Sequence, residues 1–151
     1  MSECCLVVDS GFSFTHVTPI VNGKAIWSAV KRLETLSFFA HLRLNVGGKF
    51  LTNYLKEIIS YRHYNMMEET HLINRIKESC CFVSQDFSSD LEKIKFKKGG
   101  EVKYVLPDYS NSKEGYILKE GETVKEDQQI LTLGNERFAI PEVLFTPSDV
   151  G

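Results

Sequence analysis

The run Gly47-Gly48-Lys49-Phe50-Leu51-Thr52-Asn53-Tyr54-Leu55-Lys56-Glu57-Ile58-Ile59-Ser60 decides how this chain folds. Within it Phe50, Leu51, Tyr54, Leu55, Ile58 and Ile59 recur at the intervals that bring side chains to one face of a helix. The periodicity predicts an amphipathic helix over residues 50–60, led in by the glycine pair.

On the N-terminal side the period changes. Residues 4–8 are a short apolar β-type run that stops at Asp9-Ser10-Gly11, and 14–21 and 25–33 read as strands on either side of Asn22-Gly23. Asn-Gly between strand-like runs is a strong hairpin signal, because both residues tolerate positive φ. An antiparallel meander therefore opens the chain. On the C-terminal side Leu72, Ile73, Ile76 and Cys80 share one side of a second helix predicted over 68–82, with a shorter helix over 89–94. A strand over 102–106 closes at Pro107-Asp108, and 108–127 is a polar, glycine-containing excursion expected to be the most flexible segment. A strand over 129–133, a turn at Gly134-Asn135 and one helical turn over 141–145, stopped by Pro147, complete the pattern. The fold class is α/β, a small mixed sheet with helices packed on it and a small helical lobe.

Composition narrows the function classes. The 151 residues are enough for one ordinary domain, or a piece of something larger. With 42% hydrophobic and 25% charged residues the chain is too apolar for a disordered one. A net charge of −2 supplies no global pull toward DNA or an anionic membrane. No apolar run is long enough to span a bilayer, and the first residues lack the basic start of a secretory signal. Cys4-Cys5 and Cys80-Cys81 lack the two-residue spacer with which paired thiolates grip zinc, and read as small buried hydrophobes in a reducing compartment. His16, His41, His63 and His71 share no ligand spacing, so no metal site is expected. Lys93, Lys95, Lys97, Lys98 and Lys103 surround Gly99-Gly100; a solvated turn is the commoner meaning of such a cluster, and direct DNA contact stays open.

The turn Asp9-Ser10-Gly11 has backbone amides that can face a phosphate and a carboxylate that can hold a metal-bound water, although most such turns are plain hairpins. With Thr15-His16 and Pro19 behind it, it resembles the second phosphate-binding loop of the actin family. Arg43-Leu44-Asn45-Val46-Gly47-Gly48-Lys49-Phe50-Leu51-Thr52 is similar to the actin segment that enters the helix at the base of the nucleotide cleft. Ile76-Lys77-Glu78, then Cys81-Phe82-Val83 and Asp86-Phe87, resembles the helix whose lysine and glutamate touch ribose and base. Tyr104-Val105-Leu106-Pro107-Asp108, Leu133-Gly134-Asn135-Glu136-Arg137-Phe138 and Pro141-Glu142 follow in actin order. Phe12-Ser13-Phe14, Glu69-Thr70-His71 and Val83-Ser84-Gln85-Asp86-Phe87 look more like the actin-related protein six branch than like actin itself.

The resemblance implies an actin-like ATPase half of ribonuclease H-like type. One lobe, like actin subdomain 3, would take 1–47 with 128–151, and a subdomain 4-like lobe 48–127. Residues 34–44 read as an insertion, either an interaction loop or a retained intron. The implied nucleotide contacts are Asp9, Ser10, Gly11, Gly48, Lys77 and Glu78, for ATP or ADP with magnesium in a full-length parent. Actins carry a second aspartate and a glycine after Asp-Ser-Gly, where this sequence has Phe12 and Ser13. That substitution, and the absence of the family's other cleft half, lead to the expectation of no hydrolysis and no tight nucleotide binding by these residues alone. The branch implies a non-catalytic scaffold in a nuclear Swr- or SRCAP-type remodelling complex, a cytoplasmic share being left open. Its partners would be remodeller subunits and, indirectly, the nucleosome and histones, with no membrane. The alternative is an actin-type ATPase or cytoskeletal actin-like protein.

Overall fold

The computed structural model describes residues 4–26, 42–97, 99–109, 112–124 and 127–150. By internal contacts the chain divides into two units, Met1–Leu51 and Thr52–Gly151.

The first unit is built on strands β1 (Cys4–Ser10), β2 (Thr15–Val21), β3 (Lys24–Ala25) and β4 (Leu42–Leu44). β1 lies antiparallel to all of β2, from Cys4 opposite Val21 to Ser10 opposite Thr15. The other edge of β2 is shared, with β3 opposite Ile20 and Val21 and β4 opposite Thr15, His16 and Val17. Asn22 and Gly23 make the β2–β3 turn at φ 49° and 72°, the left-handed pair that the dipeptide promised. β4 falls at the end of the stretch read as an insertion. Leu42–Leu44 is a paired strand of the sheet, while 34–41 lie outside the described residues, as does the part of the third expected strand beyond Ile26.

Every residue of β1 is exposed, with Leu6 at 63% and Val8 at 61%. Cys4 and Cys5 are thus exposed rather than buried as their apolar setting suggested, whereas Cys80 is buried and Cys81 partly so. A strand apolar on both faces has the pattern of one that other elements cover.

Helix α1 (Gly48–Arg62) begins in the first unit and ends in the second. The second unit also holds α2 (Thr70–Cys80), α3 (Phe87–Lys95), a sheet of order β6-β5-β7 (Tyr116–Ile117, Val102–Val105, Ile130–Leu133) and α4 (Glu136–Glu142). Its core is aliphatic: Leu55 and Ile59 of α1, Ile73 and Ile76 of α2, Val105, Leu131 and Leu133 of the sheet and Ile140 of α4 are fully buried. These positions include members of the apolar face read from the sequence for each long helix, while Phe50, Tyr54 and Ile58 are only half-buried. Asp86 caps α3 by accepting the Ser89 amide at 3.0 Å.

One expectation for the C-terminal third is corrected. The helix expected over 141–145 runs instead from Glu136 to Glu142, with Pro141 inside it and Pro147 opening a 3-10 turn to Val150. The excursion after β5 is tied down at several points. Ser112 donates to the Asp108 carboxylate at 2.8 Å, β6 pairs with β5, and Glu114 bridges Arg75 of α2 at 2.8 Å. The family-derived lobes group 128–151 with 1–47; the division by contacts falls elsewhere, because β7 pairs with β5. Among the described residues no helix is long and apolar enough to cross a membrane, and no His, Cys, Asp and Glu cluster could hold a metal.

The Cys80-Cys81 pair gives a pH test. Burial pushes the Cys81 thiol from 9.0 up to about 12, and burial raises Cys80 as well. The folded chain keeps protons that the unfolded chain releases near pH 9, so this stability is whole below about pH 9 and is lost as pH rises toward 12. In the parent protein both thiols should escape iodoacetamide at pH about 8 and react once urea is added, as peptide mapping would show. Thermal melts should fall above pH about 9, less steeply in Cys81→Ala.

Candidate functional site

In the first unit the site candidates sit on the hairpin between β1 and β2. Asp9, next to last in β1, lies opposite His16 and is exposed, and Gly11 closes the turn by donating its amide to the Phe14 carbonyl at 2.9 Å. Thr15 is buried and donates its hydroxyl proton to the Val46 carbonyl at 2.8 Å. The Ser10 hydroxyl, 3.0 Å from the Thr15 oxygen, is then the donor of that pair. The hairpin is thereby fixed to the segment before α1.

The turn also caps the helix. The Gly48 amide donates to the Gly11 carbonyl at 3.0 Å and the Lys49 amide to the Phe12 carbonyl at 2.7 Å. The first amides of any helix have no partner within it, and here two are satisfied by backbone from the hairpin. Close approach is what Gly47 permits. A Cβ there would stand 2.7 Å from the Gly11 oxygen and 2.8 Å from both the Phe12 oxygen and the Phe14 nitrogen. The glycine pair that a sequence reader takes for a helix lead-in thus serves the turn as much as the helix.

Phe12 itself points its ring outward, 66% exposed. Its place in the turn is held by its carbonyl, while the side chain packs into no core. The second position, Ser13, leaves the turn with one carboxylate, Asp9, among residues 9–14.

In the second unit Lys77 and Glu78 belong to a network between α1 and α2. The Lys77 ammonium donates to the Thr52 hydroxyl at 3.0 Å and to the Asn74 side-chain oxygen at 3.1 Å. Thr52 donates to the same Asn74 oxygen at 2.9 Å, and the Asn74 amide donates to the Glu78 carboxylate at 2.7 Å. Partial burial lowers the Lys77 pKa, opposed by the nearby Glu78 charge. Thr52 and Asn74 were not singled out from the sequence. Asn74 lies three residues before Lys77 and four before Glu78, a helical spacing that carries the signal in hindsight.

The order of these parts can be set against known proteins. The family profile described as Actin matches residues 1–151. The chain belongs to the actin family. This actin-family chain is 49% identical over 146 residues to the Actin-like protein ARP6 of Yarrowia lipolytica, covering 97% of this chain and 35% of that protein. It is 43% identical over 152 residues to Actin-related protein 6 of Drosophila melanogaster, covering 97% and 35% respectively. With the Actin-like protein ARP6 of Saccharomyces cerevisiae it shares 45% identity over 145 residues, 94% of this chain and 30% of that one. The chain spans about a third of the length of the curated relatives it matches. It is an actin-related protein sequence with the expected α/β fold.

Proposed function

We propose that the parent of this chain is a non-catalytic scaffold subunit of a nuclear Swr- or SRCAP-type chromatin-remodelling complex that exchanges a histone variant into nucleosomes. The observation that carries this reading is the similarity, at 49% identity across 97% of the chain, to a relative named ARP6. Its partners are then the protein subunits of the remodeller, with nucleosome and histones engaged through them.

The hairpin supports a structural rather than a hydrolytic role for any nucleotide. The family resemblance assigns contacts with ATP or ADP and magnesium to Asp9, Ser10, Gly11 and Gly48 in the first unit and, separately, to Lys77 and Glu78 in the second. The fit is partial. The Asp9 carboxylate is exposed, and among the described residues the Phe12 and Ser13 amides carry no internal bond, but the Gly48 and Lys49 amides are spent on the turn. A bound nucleotide would supply phosphate oxygens for those two free amides and, through its magnesium, a partner for Asp9. Hydrolysis needs an oriented, polarised water, and with Phe12 and Ser13 after Gly11 the turn offers only one carboxylate toward it. The 151 residues alone would bind the nucleotide weakly.

A single-turnover ATPase assay on the full-length parent should show no phosphate release above background, and mass spectrometry of its affinity-purified complexes should recover remodeller subunits. Rapid release that Asp9→Ala abolishes would instead favour the ATPase reading, which rests on Asp9, Gly11, Gly48, Lys77 and Glu78. Purification free of remodeller subunits would reject the scaffold reading.

A further inference from the structure

The turn after α3 presents two lysines and a phenylalanine on a fixed backbone. Lys95 ends the helix, Phe96 is 59% exposed, and Lys97 stands at φ 52°, a conformation L side chains rarely adopt. Several contacts hold this shape. The Phe96 amide donates to the Glu92 carbonyl at 2.9 Å and the Lys97 amide to the Ile94 carbonyl at 3.0 Å. Gly99 and Gly100 follow at φ 103° and 93°, and the Arg137 guanidinium donates to the Gly100 carbonyl. A left-handed non-glycine residue kept in place by its surroundings is the kind of strain that collects at functional positions.

The charges are not equivalent along the turn. Lys93 is paired with Asp90 at 2.7 Å. Among the described residues no ion pair engages Lys95 or Lys97, and the Lys95 ammonium lies 5.8 Å from the Phe96 ring centroid. Glu92 and Glu101 flank the segment, so the cationic residues of the turn, Lys95, Lys97 and in sequence Lys98, fall between two carboxylates. The cations alone would suit any polyanion. An exposed ring between them suits a strand in which phosphates alternate with flat bases, since phosphate contacts position such a strand and a π-face stacks on it.

The geometry points to a polynucleotide site at this turn, with Lys95 and Lys97 on phosphates and Phe96 against a base. This goes beyond the scaffold reading and does not depend on it, because it concerns direct contact by this chain's own residues.

Fluorescence anisotropy with the full-length parent, a 20-nucleotide single strand and the matching duplex, between about 50 and 200 mM salt, tests it. The double variant Lys95→Glu, Lys97→Glu should bind at least about tenfold more weakly at low salt. Its plot of log affinity against log salt should be shallower by about 1.4 on the single strand or about 1.8 on the duplex. Phe96→Ala should weaken the single strand about tenfold and the duplex little. Lys95→Gln with Lys97→Gln, which adds no negative charge, should show the same shallower slope and melt like the wild type. Unchanged affinity and slope in both lysine variants would overturn the site. So would no binding by the wild type at 50 mM salt, or displacement of the strand by polyglutamate at equal charge concentration.

Discussion

Gly47→Ala is expected to destabilise the parent protein by about 3 kcal/mol, at the upper end of what overpacking a tight contact costs. The added methyl would meet only backbone, the carbonyls of Gly11 and Phe12 and the amide of Phe14, all within 2.8 Å. No side chain can rotate aside to relieve it. Relief requires the hairpin to leave the helix start, which breaks the Gly48–Gly11 and Lys49–Phe12 hydrogen bonds as well. Gly11→Ala is the comparison, since a Cβ there meets only the Phe14 oxygen at 3.4 Å. Thermal melting should separate the two variants by many degrees. A Gly47→Ala protein that melts with the wild type would show that the turn is not seated on the helix as described.

Arg137→Lys should cost about 2–3 kcal/mol although it keeps the charge. The Arg137 Nε donates to the Cys80 carbonyl at 2.9 Å, a terminal nitrogen donates to the Gly100 carbonyl, and the guanidinium carbon lies 5.1 Å from the Phe82 ring centroid. One planar fork therefore joins the end of α2, the glycine turn and an aromatic ring. Phe82 is also 6.0 Å from Phe138, whose ring meets Phe87 edge-on at 5.3 Å. A lysine ammonium cannot reach both carbonyls and stack at once, and each bond from a charged donor is worth about 1.5–3 kcal/mol. Denaturant melts measure the loss, and amide exchange at 97–100 should quicken in parallel. Equal exchange there would mean that the turn does not rely on Arg137.

The elements most legible in the sequence were those whose pattern is local and repeated. Leu55, Ile59, Ile73 and Ile76 fall at helical spacing and are fully buried, and Asn22-Gly23 adopts the turn that its chemistry favours. β4 was not legible because Leu42-Arg43-Leu44 echoes Lys31-Arg32-Leu33, and either copy can be taken as the family strand when the residues between are set aside. The second copy pairs with β2, and the first lies outside the described residues. The start of α4 was missed because Gly134-Asn135 suggested a turn and Pro141 a helix beginning, whereas Pro141 lies inside the last turn. β6 spans two residues, too short for a period to show, and its place depends on Lys103 and Arg75 far away in sequence.

The candidate site shows the same division. Motif order nominates Asp9, Ser10, Gly11, Gly48, Lys77 and Glu78 as candidates without saying what each one touches. Gly48 spends its amide on Gly11, and Lys77 is held by Thr52 and Asn74, two polar residues with no motif of their own. Long-range hydrogen bonds leave no periodic trace, so such partners become visible only when the chain is folded.

The bonds from Gly48 and Lys49 to Gly11 and Phe12 also bear on the order of assembly. The hairpin from Cys4 to Val21 can close on neighbouring residues, whereas the start of α1 must wait for a loop spanning β3 and β4 to bring the turn within reach. Until then the first coil of that helix would fray, and its completion would report that the strands had already docked.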